Sequence, residues 1–145
     1  SEDDFRGMLD LLEEVRFDRV GAFTYSVEDG TPAADMPDQI PDSLKRERLE
    51  QLMDVQRMIS SECNEALIGR RFRALVDEVL EDPGPIGAAA AGRPVGVART
   101  VGQALDVDGV THLHPFAGLA PGQFVMLEVE DAEEYDLIAR VVEGA

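Results

Sequence analysis

The stretch "PGQFVMLEVEDAEEYDLIARVV", residues 121–142, decides what fold the second half of this sequence can form. A proline–glycine turn signal opens it. Behind that turn, Val125, Leu127 and Val129 recur with the period of two that is typical of a strand with one buried face. Turn signals and apolar alternation predict strands near 71–79, 94–100, 109–114, 123–130 and 136–142. Because five short strands bury little as a flat sheet, we expect them to close into a small antiparallel barrel.

The first half is predicted to form a helix, one short strand and a second, longer helix. Residues 3–16 carry apolar side chains at helical spacing, with Ser1 as the expected cap. The segment "RVGAFTYS", residues 19–26, is apolar on both faces, which favours a buried strand of a parallel sheet. A Pro-rich loop follows, and then a long helix from about Asp42 to Glu65. Its buried stripe is interrupted by a glutamine and consists of Leu49, Leu52, Gln56, Ile59 and Cys63.

The composition is strongly acidic, with 30 acidic and 13 basic residues and a net charge of -17. Acidity in both halves argues against a strong nucleic-acid surface and favours basic partners, or simply solubility. A single cysteine, Cys63, excludes an internal disulfide and a cysteine-rich metal site, and its place on the helix stripe indicates a small core residue. No signal peptide and no apolar run of about 20 residues is visible, so we expect a cytoplasmic protein without a membrane span.

The sequence gives only weak signals for a metal site, an acid–base pair or a nucleic-acid-binding surface. His112 and His114 share one face of a predicted strand, but no third ligand is indicated nearby, so we expect surface or rim histidines. Carboxylate pairs are abundant in so acidic a chain, and none stands out as a general acid and base. Aromatic residues are too few to predict a platform for stacking nucleic-acid bases. The insertion "EDPGPIGAAAAGRP", residues 81–94, predicts a flexible loop without chemistry.

Three stretches carry a resemblance to a known family. Residues 16–60, "RFDRVGAFTYSVEDGTPAADMPDQIPDSLKRERLEQLMDVQRMIS", resemble the end of the radical-SAM core of the methylthiotransferases. The stretch "VARTVGQALDVDG", residues 97–109, and the stretch that follows Ala120 resemble their C-terminal TRAM domain. The resemblance implies an α+β chain in three parts: residues 1–41 end the radical-SAM core, 42–66 form a linking helix, and 67–145 form the five-stranded TRAM barrel. The strand at 19–26 would then be the last strand of a partial (β/α) barrel.

The loop after Ser26 separates two branches of this family. It reads Val27-Glu28-Asp29-Gly30-Thr31 and continues "DMPDQIP", which is similar to the RimO-like branch that methylthiolates an aspartate of small-subunit ribosomal protein twelve. The tRNA-modifying, MiaB-like branch usually has an arginine there. A basic stripe across Arg70, Arg71, Arg73 and Arg99 would favour that second branch. A third possibility is a stand-alone acidic interaction module.

The resemblance also implies cofactors for the whole enzyme. These are four-iron four-sulfur clusters and S-adenosyl-L-methionine, with Phe23, Tyr25 and Ser26 near the S-adenosyl-L-methionine end of the barrel. Plain core packing is the alternative for Phe23. The CxxxCxxC cluster motif is absent, and one cysteine cannot hold a cluster, so we expect this chain alone to bind no metal and to be catalytically inert. Leu105 stands where the family usually has a proline.

Eight carboxylates are predicted to form one acidic face of the barrel that docks the basic ribosomal protein. Two lie in the "ALDVDG" loop and six lie between residues 128 and 136: Asp106, Asp108, Glu128, Glu130, Asp131, Glu133, Glu134 and Asp136. A solvated charged turn is the alternative for any one of them. The partners expected from this interpretation are the ribosomal protein and the rest of the enzyme, and neither nucleic acid nor a membrane.

Overall fold

A computed structural model describes residues 1–80, 95–114 and 118–144. The elements are helices α1 (Glu2–Val15) and α2 (Asp42–Glu65), followed by strands β1 (Arg71–Val79), β2 (Gly96–Thr100), β3 (Thr111–Leu113), β4 (Phe124–Ala132) and β5 (Leu137–Gly144). The chain divides within α2 into two compact units, Ser1–Ile59 and Ser60–Ala145. The insertion at 81–94, for which a flexible loop was predicted, lies outside the described residues.

Helix α1 begins at a capping box, as the sequence predicted for Ser1. The Ser1 hydroxyl accepts a hydrogen bond from the Asp4 amide at 3.2 Å, and the Asp4 carboxylate accepts one from the N-terminal ammonium at 2.8 Å. Hydrogen bonds to this carboxylate from the N-terminal ammonium and from the Ser1 hydroxyl, which donates at 2.8 Å, hold the pKa of the Asp4 carboxyl below its usual value. The helix ends where Arg16 turns into the left-handed region at φ 54°. Its buried residues are Phe5 and Leu12.

The prediction of a buried strand at 19–26 is wrong for this chain. Residues 19–28 have no regular secondary structure, Phe23 is 92% exposed, and Ser26 and Val27 are exposed. A strand needs a partner for its backbone groups. The described residues of the first unit contain no strand that could provide one. Side chains bind parts of the loop instead: Lys45 Nζ donates to the Tyr25 carbonyl at 3.1 Å.

Helix α2 has the predicted bounds, and its polar interruption has a structural role. Gln56 is 1% exposed, and its Nε2 donates a hydrogen bond to the Phe17 carbonyl at 2.8 Å. The glutamine thereby fastens the segment that leaves α1 to the buried face of α2, beside Leu52 and Ile59. Cys63 is a free cysteine that is only partly buried.

The second unit is a closed barrel with the strand order β1-β2-β3-β5-β4. Four of its five neighbouring pairs are antiparallel, but β3 and β5 pair in parallel, from Thr111 opposite Leu137 to Leu113 opposite Ala139. The all-antiparallel barrel predicted from the sequence is therefore wrong. Its error is one of parity, because strand direction cannot alternate all the way around a closed ring with an odd number of strands.

Alternation along the strands fills the barrel, as predicted for β4. Val125, Leu127 and Val129 are at most 1% exposed. The other core residues are small or aliphatic and come from all remaining strands: Ala74, Val76, Ala98, Leu113, Leu137, Ala139 and Val141. Within the described part of the chain, no helix is both long and apolar enough to cross a membrane.

Candidate functional site

The β4–β5 turn, which carries Glu133 and Glu134, is fixed by the end of helix α2. Ser60 Oγ donates to the Glu134 carbonyl at 2.9 Å, and Asn64 Nδ2 donates to the Glu133 carbonyl at 2.9 Å. Ser60 and Asn64 are buried, whereas both glutamates are exposed. The helix therefore sets the backbone of the turn and leaves its carboxylates facing solvent.

The loop between β2 and β3 lies against this turn. The Val110 amide donates to Asp136 Oδ1 at 2.8 Å, and the Leu137 amide donates to the Val110 carbonyl at 2.9 Å. Gly109 permits the close approach, because a Cβ atom built there would overlap the Tyr135 carbonyl oxygen. The two acidic segments singled out in the sequence, 106–108 and 128–136, thus adjoin each other at this point.

On the outer wall of the barrel, charges of opposite sign alternate across β1, β4 and β5. Glu128 accepts hydrogen bonds from Arg71 Nε at 2.8 Å and from Arg140 Nη2 at 2.6 Å. Arg140 Nε also lies 3.0 Å from Glu130 Oε1, and His114 Nδ1 lies 2.8 Å from Glu130 Oε2. Hydrogen bonds from Arg71 and Arg140 hold the pKa of Glu128 below its ordinary value, and Glu128 raises the pKa of Arg140.

This network neutralises part of the charge of the predicted acidic face. Glu128 and Glu130 are already paired with cations of the same barrel. Asp108 and Asp131 accept hydrogen bonds from the amides of Ala104 and Ala132, at 2.8 and 2.9 Å. The predicted carboxylates that are exposed and lie in loop or turn positions are Asp106, Glu133 and Glu134.

The four arginines of the possible basic stripe are also engaged. Arg71 pairs with Glu128, and Arg99 Nε lies 3.6 Å from Asp77 Oδ1. Arg73 lies 4.0 Å from the centre of the Phe124 ring, and the Arg70 guanidinium lies 5.6 Å from the Phe72 ring. Carboxylates therefore neutralise two of the four cations that phosphate binding would need.

The two histidines occupy partly buried positions beside carboxylates. His112 Nε2 lies 3.7 Å from Asp136 Oδ2, and His114 contacts Glu130 as described above. Among the residues that the structure describes, no group of three or more histidine, cysteine or acidic side chains is placed to hold a metal ion. The chain's single cysteine does not fit an iron–sulfur cluster, which needs several thiolates.

A pocket of about 570 Å³ lies in the first unit. Phe23 and Tyr25 line it together with Phe5, Met8 and Lys45, and Lys45 Nζ lies 5.5 Å from the centre of the Tyr25 ring. Ser26 is exposed and does not line the pocket. In this chain Phe23 is 92% exposed.

The sequence profile of the TRAM domain matches residues 68–142, which run from just before β1 into β5. The chain belongs to the TRAM domain family. The TRAM barrel and the residues before it are together similar to proteins named ribosomal protein uS12 methylthiotransferase RimO. The relative from Anaeromyxobacter sp. (strain K) is 44% identical over 98% of this chain and 28% of its own length. The relative from Clostridioides difficile (strain 630) is 38% identical over 98% of this chain and 30% of its own length.

These matches confirm the resemblance to the RimO-like methylthiotransferases that the sequence indicated. The chain spans less than a third of the length of the curated relatives it matches.

Sequence reasoning missed the polar residues that position the acidic turn. Ser60 and Asn64 follow Leu52 and Gln56 at steps of four, so they continue one buried face of α2 with polar residues. That spacing was the available signal, because polar residues on a buried face need partners. The cation partners of Glu128 carried no comparable signal, since they lie 57 residues before it and 12 residues after it.

Proposed function

We propose that this chain is the C-terminal part of a radical-SAM methylthiotransferase that methylthiolates an aspartate of ribosomal protein uS12. The observation that carries the proposal is the similarity to relatives of that name along 98% of the chain. In this proposal residues 1–41 end the radical-SAM core, 42–66 form the linking helix and 67–145 form the TRAM domain. The whole enzyme would act in the cytoplasm.

The barrel's part in this function is to dock the basic protein substrate. The net charge of -17 supports a cationic partner, because attraction to such a partner accelerates encounter. The adjoining segments 106–108 and 128–136 support a single docking face, joined where Asp136 accepts the Val110 amide. Glu128 and Glu130 are neutralised within the barrel, whereas the exposed loop and turn positions of Asp106, Glu133 and Glu134 support their part in steering.

The chemistry of the whole enzyme would need two kinds of cofactor. Iron–sulfur clusters and S-adenosyl-L-methionine would supply the radical that activates the substrate aspartate. No step is assigned to residues of this chain, because its one cysteine does not fit a cluster. Phe23 and Tyr25, with Ser26 beside them, would contribute an aromatic wall near S-adenosyl-L-methionine, which the apolar pocket beside them supports.

Binding of the 145-residue chain to purified uS12 and to tRNA tests the docking proposal. We expect uS12 to bind more tightly than tRNA. Its affinity should fall as salt rises from ~0.05 M to ~0.5 M, because the Debye length shrinks from over 10 Å to a few Å in that range. Tighter binding of tRNA would instead favour the tRNA-modifying branch and overturn the docking proposal.

A further inference from the structure

The loop between β2 and β3 presents aliphatic side chains to solvent. Val101 is 99% exposed, Val107 is 81% exposed and Leu105 is 56% exposed. Isolated apolar residues on a surface are ordinary. Three within seven consecutive residues, on one loop of the barrel, are a concentrated apolar feature.

A buried glutamine fixes both ends of this loop. Gln103 is 7% exposed, and its Oε1 accepts hydrogen bonds from the Thr100 amide at 3.0 Å and from the Thr111 hydroxyl at 2.8 Å. Thr100 ends β2 and Thr111, which is fully buried, begins β3. The glutamine side chain therefore links the end of β2 to the start of β3.

The tip of the loop is held by its own acidic residue. Asp108 Oδ2 accepts the Ala104 amide at 2.8 Å, and the Asp108 amide donates to the Ala104 carbonyl at 3.2 Å. Gly109 and Val110 press against the β4–β5 turn, as described above. A loop held at both ends and at its tip loses little conformational freedom when it binds, so its exposed side chains are pre-organised for a partner.

We infer that Val101, Leu105 and Val107 form an apolar anchor, which is the set of aliphatic contacts through which the barrel binds a basic protein. Asp106 and Asp108 lie between and beside them, so the loop offers aliphatic contacts and negative charge in alternation. Lysine and arginine side chains match this alternation, because an aliphatic stem precedes each charged head. This inference rests on the proposed function, in which the protein bound is the basic ribosomal protein. The exposed carboxylates set the association rate, and the three aliphatic residues set the dissociation rate.

The test replaces the three aliphatic residues with serine in the full 145-residue chain, as Val101→Ser, Leu105→Ser and Val107→Ser together. The control is Ile68→Ser, which removes an aliphatic side chain of 47% exposure outside the loop. Kinetics of binding to uS12 and to poly-L-lysine are measured at ~0.05 M and ~0.5 M salt. Circular dichroism melting verifies that each variant is folded.

We expect the triple variant to weaken uS12 binding about ten-fold or more, mainly through faster dissociation and at both salt concentrations. Binding of poly-L-lysine, whose side chains have the same aliphatic stems, should weaken in the triple variant as well, whereas Ile68→Ser should stay close to wild type. An unchanged dissociation rate of uS12 in the triple variant overturns the anchor while leaving the docking proposal intact. Failure of the wild-type chain to bind uS12 at all overturns the docking proposal itself and the anchor with it.

Discussion

The carboxylate of Asp136 accepts a hydrogen bond from the Val110 amide at 2.8 Å, and this contact joins the β4–β5 turn to the β2–β3 loop. Asp136→Ala removes the acceptor and leaves a partly buried amide without its partner. We expect it to lower the free energy of unfolding by about 1–2 kcal/mol, as measured by urea denaturation followed by circular dichroism. Asp136→Asn keeps an oxygen acceptor and should lose less. Equal stability of Asp136→Ala and the control Glu133→Ala would contradict this role.

Gln56 is expected to hold the segment after α1 in place. Gln56→Ala deletes the donor to the Phe17 carbonyl and should destabilise the first unit by about 1–3 kcal/mol. Amide hydrogen exchange across residues 17–25 should become faster with it. Gln51→Ala, at an exposed position of the same helix, is the matched control. The role assigned to Gln56 is wrong if both variants exchange like wild type.

Gly109 is required by the close approach of two backbone segments. In Gly109→Ala the new Cβ atom would overlap the Tyr135 carbonyl, so the loop or the turn must shift. We expect a loss of about 1–3 kcal/mol in the free energy of unfolding. Gly102→Ala in the same loop should change stability by less than about 0.5 kcal/mol, because the contact nearest to its Cβ atom is at 4.0 Å. Thermal melting of both variants tests this, because Gly109→Ala should lower the melting temperature more than Gly102→Ala does.

The Glu128 network predicts a stability that depends on pH. Hydrogen bonds from Arg71 and Arg140 lower the pKa of Glu128 in the folded chain below its ordinary value of 4.5. The ionised carboxylate therefore stabilises the fold above that value, and its contribution is lost as the pH falls through the lower folded pKa. At pH ~7 the melting temperature of wild type should be higher than that of Glu128→Gln, and this difference in melting temperature should become smaller below pH ~4.

A double-mutant cycle provides the control for this network. In a chain that already carries Arg71→Gln and Arg140→Gln, the further change Glu128→Gln should have little effect at any pH, because its partners are gone. A melting difference between wild type and Glu128→Gln that is the same at neutral and acid pH would contradict the pairing.

The sequence correctly predicted the helices and strands that show a regular spacing of apolar residues. Helix α2 has the bounds expected from its apolar stripe, and β4 buries Val125, Leu127 and Val129 as its alternation indicated. The prediction of a strand at 19–26 failed, because a strand needs a neighbouring strand and the sequence of the segment does not show whether one is present. The first unit contains no strand among its described residues, and apolar residues such as Phe23 remain exposed.

Long-range pairings could not be predicted for the site. The sequence showed that Glu128 and Asp136 belong to an acidic run, but not that Arg71 lies opposite Glu128. Register across strands fixes such pairs, and register depends on the closure of the barrel. Once five strands and closure were assumed, parity alone required at least one parallel pair, although only the structure shows that β3 and β5 form it. The docking assignment of the eight carboxylates stays a prediction.

The most direct test of the docking face is the association rate of uS12 with a charge-reversed barrel. The variant changes Asp106, Glu133 and Glu134 to lysine, and the control changes the exposed α1 residues Asp10, Glu13 and Glu14 to lysine, which alters the net charge equally. At ~0.05 M salt we predict an association rate about ten-fold lower for the barrel variant than for the control, with the difference disappearing near ~0.5 M. Equal association rates for the two variants at low salt would contradict the docking face.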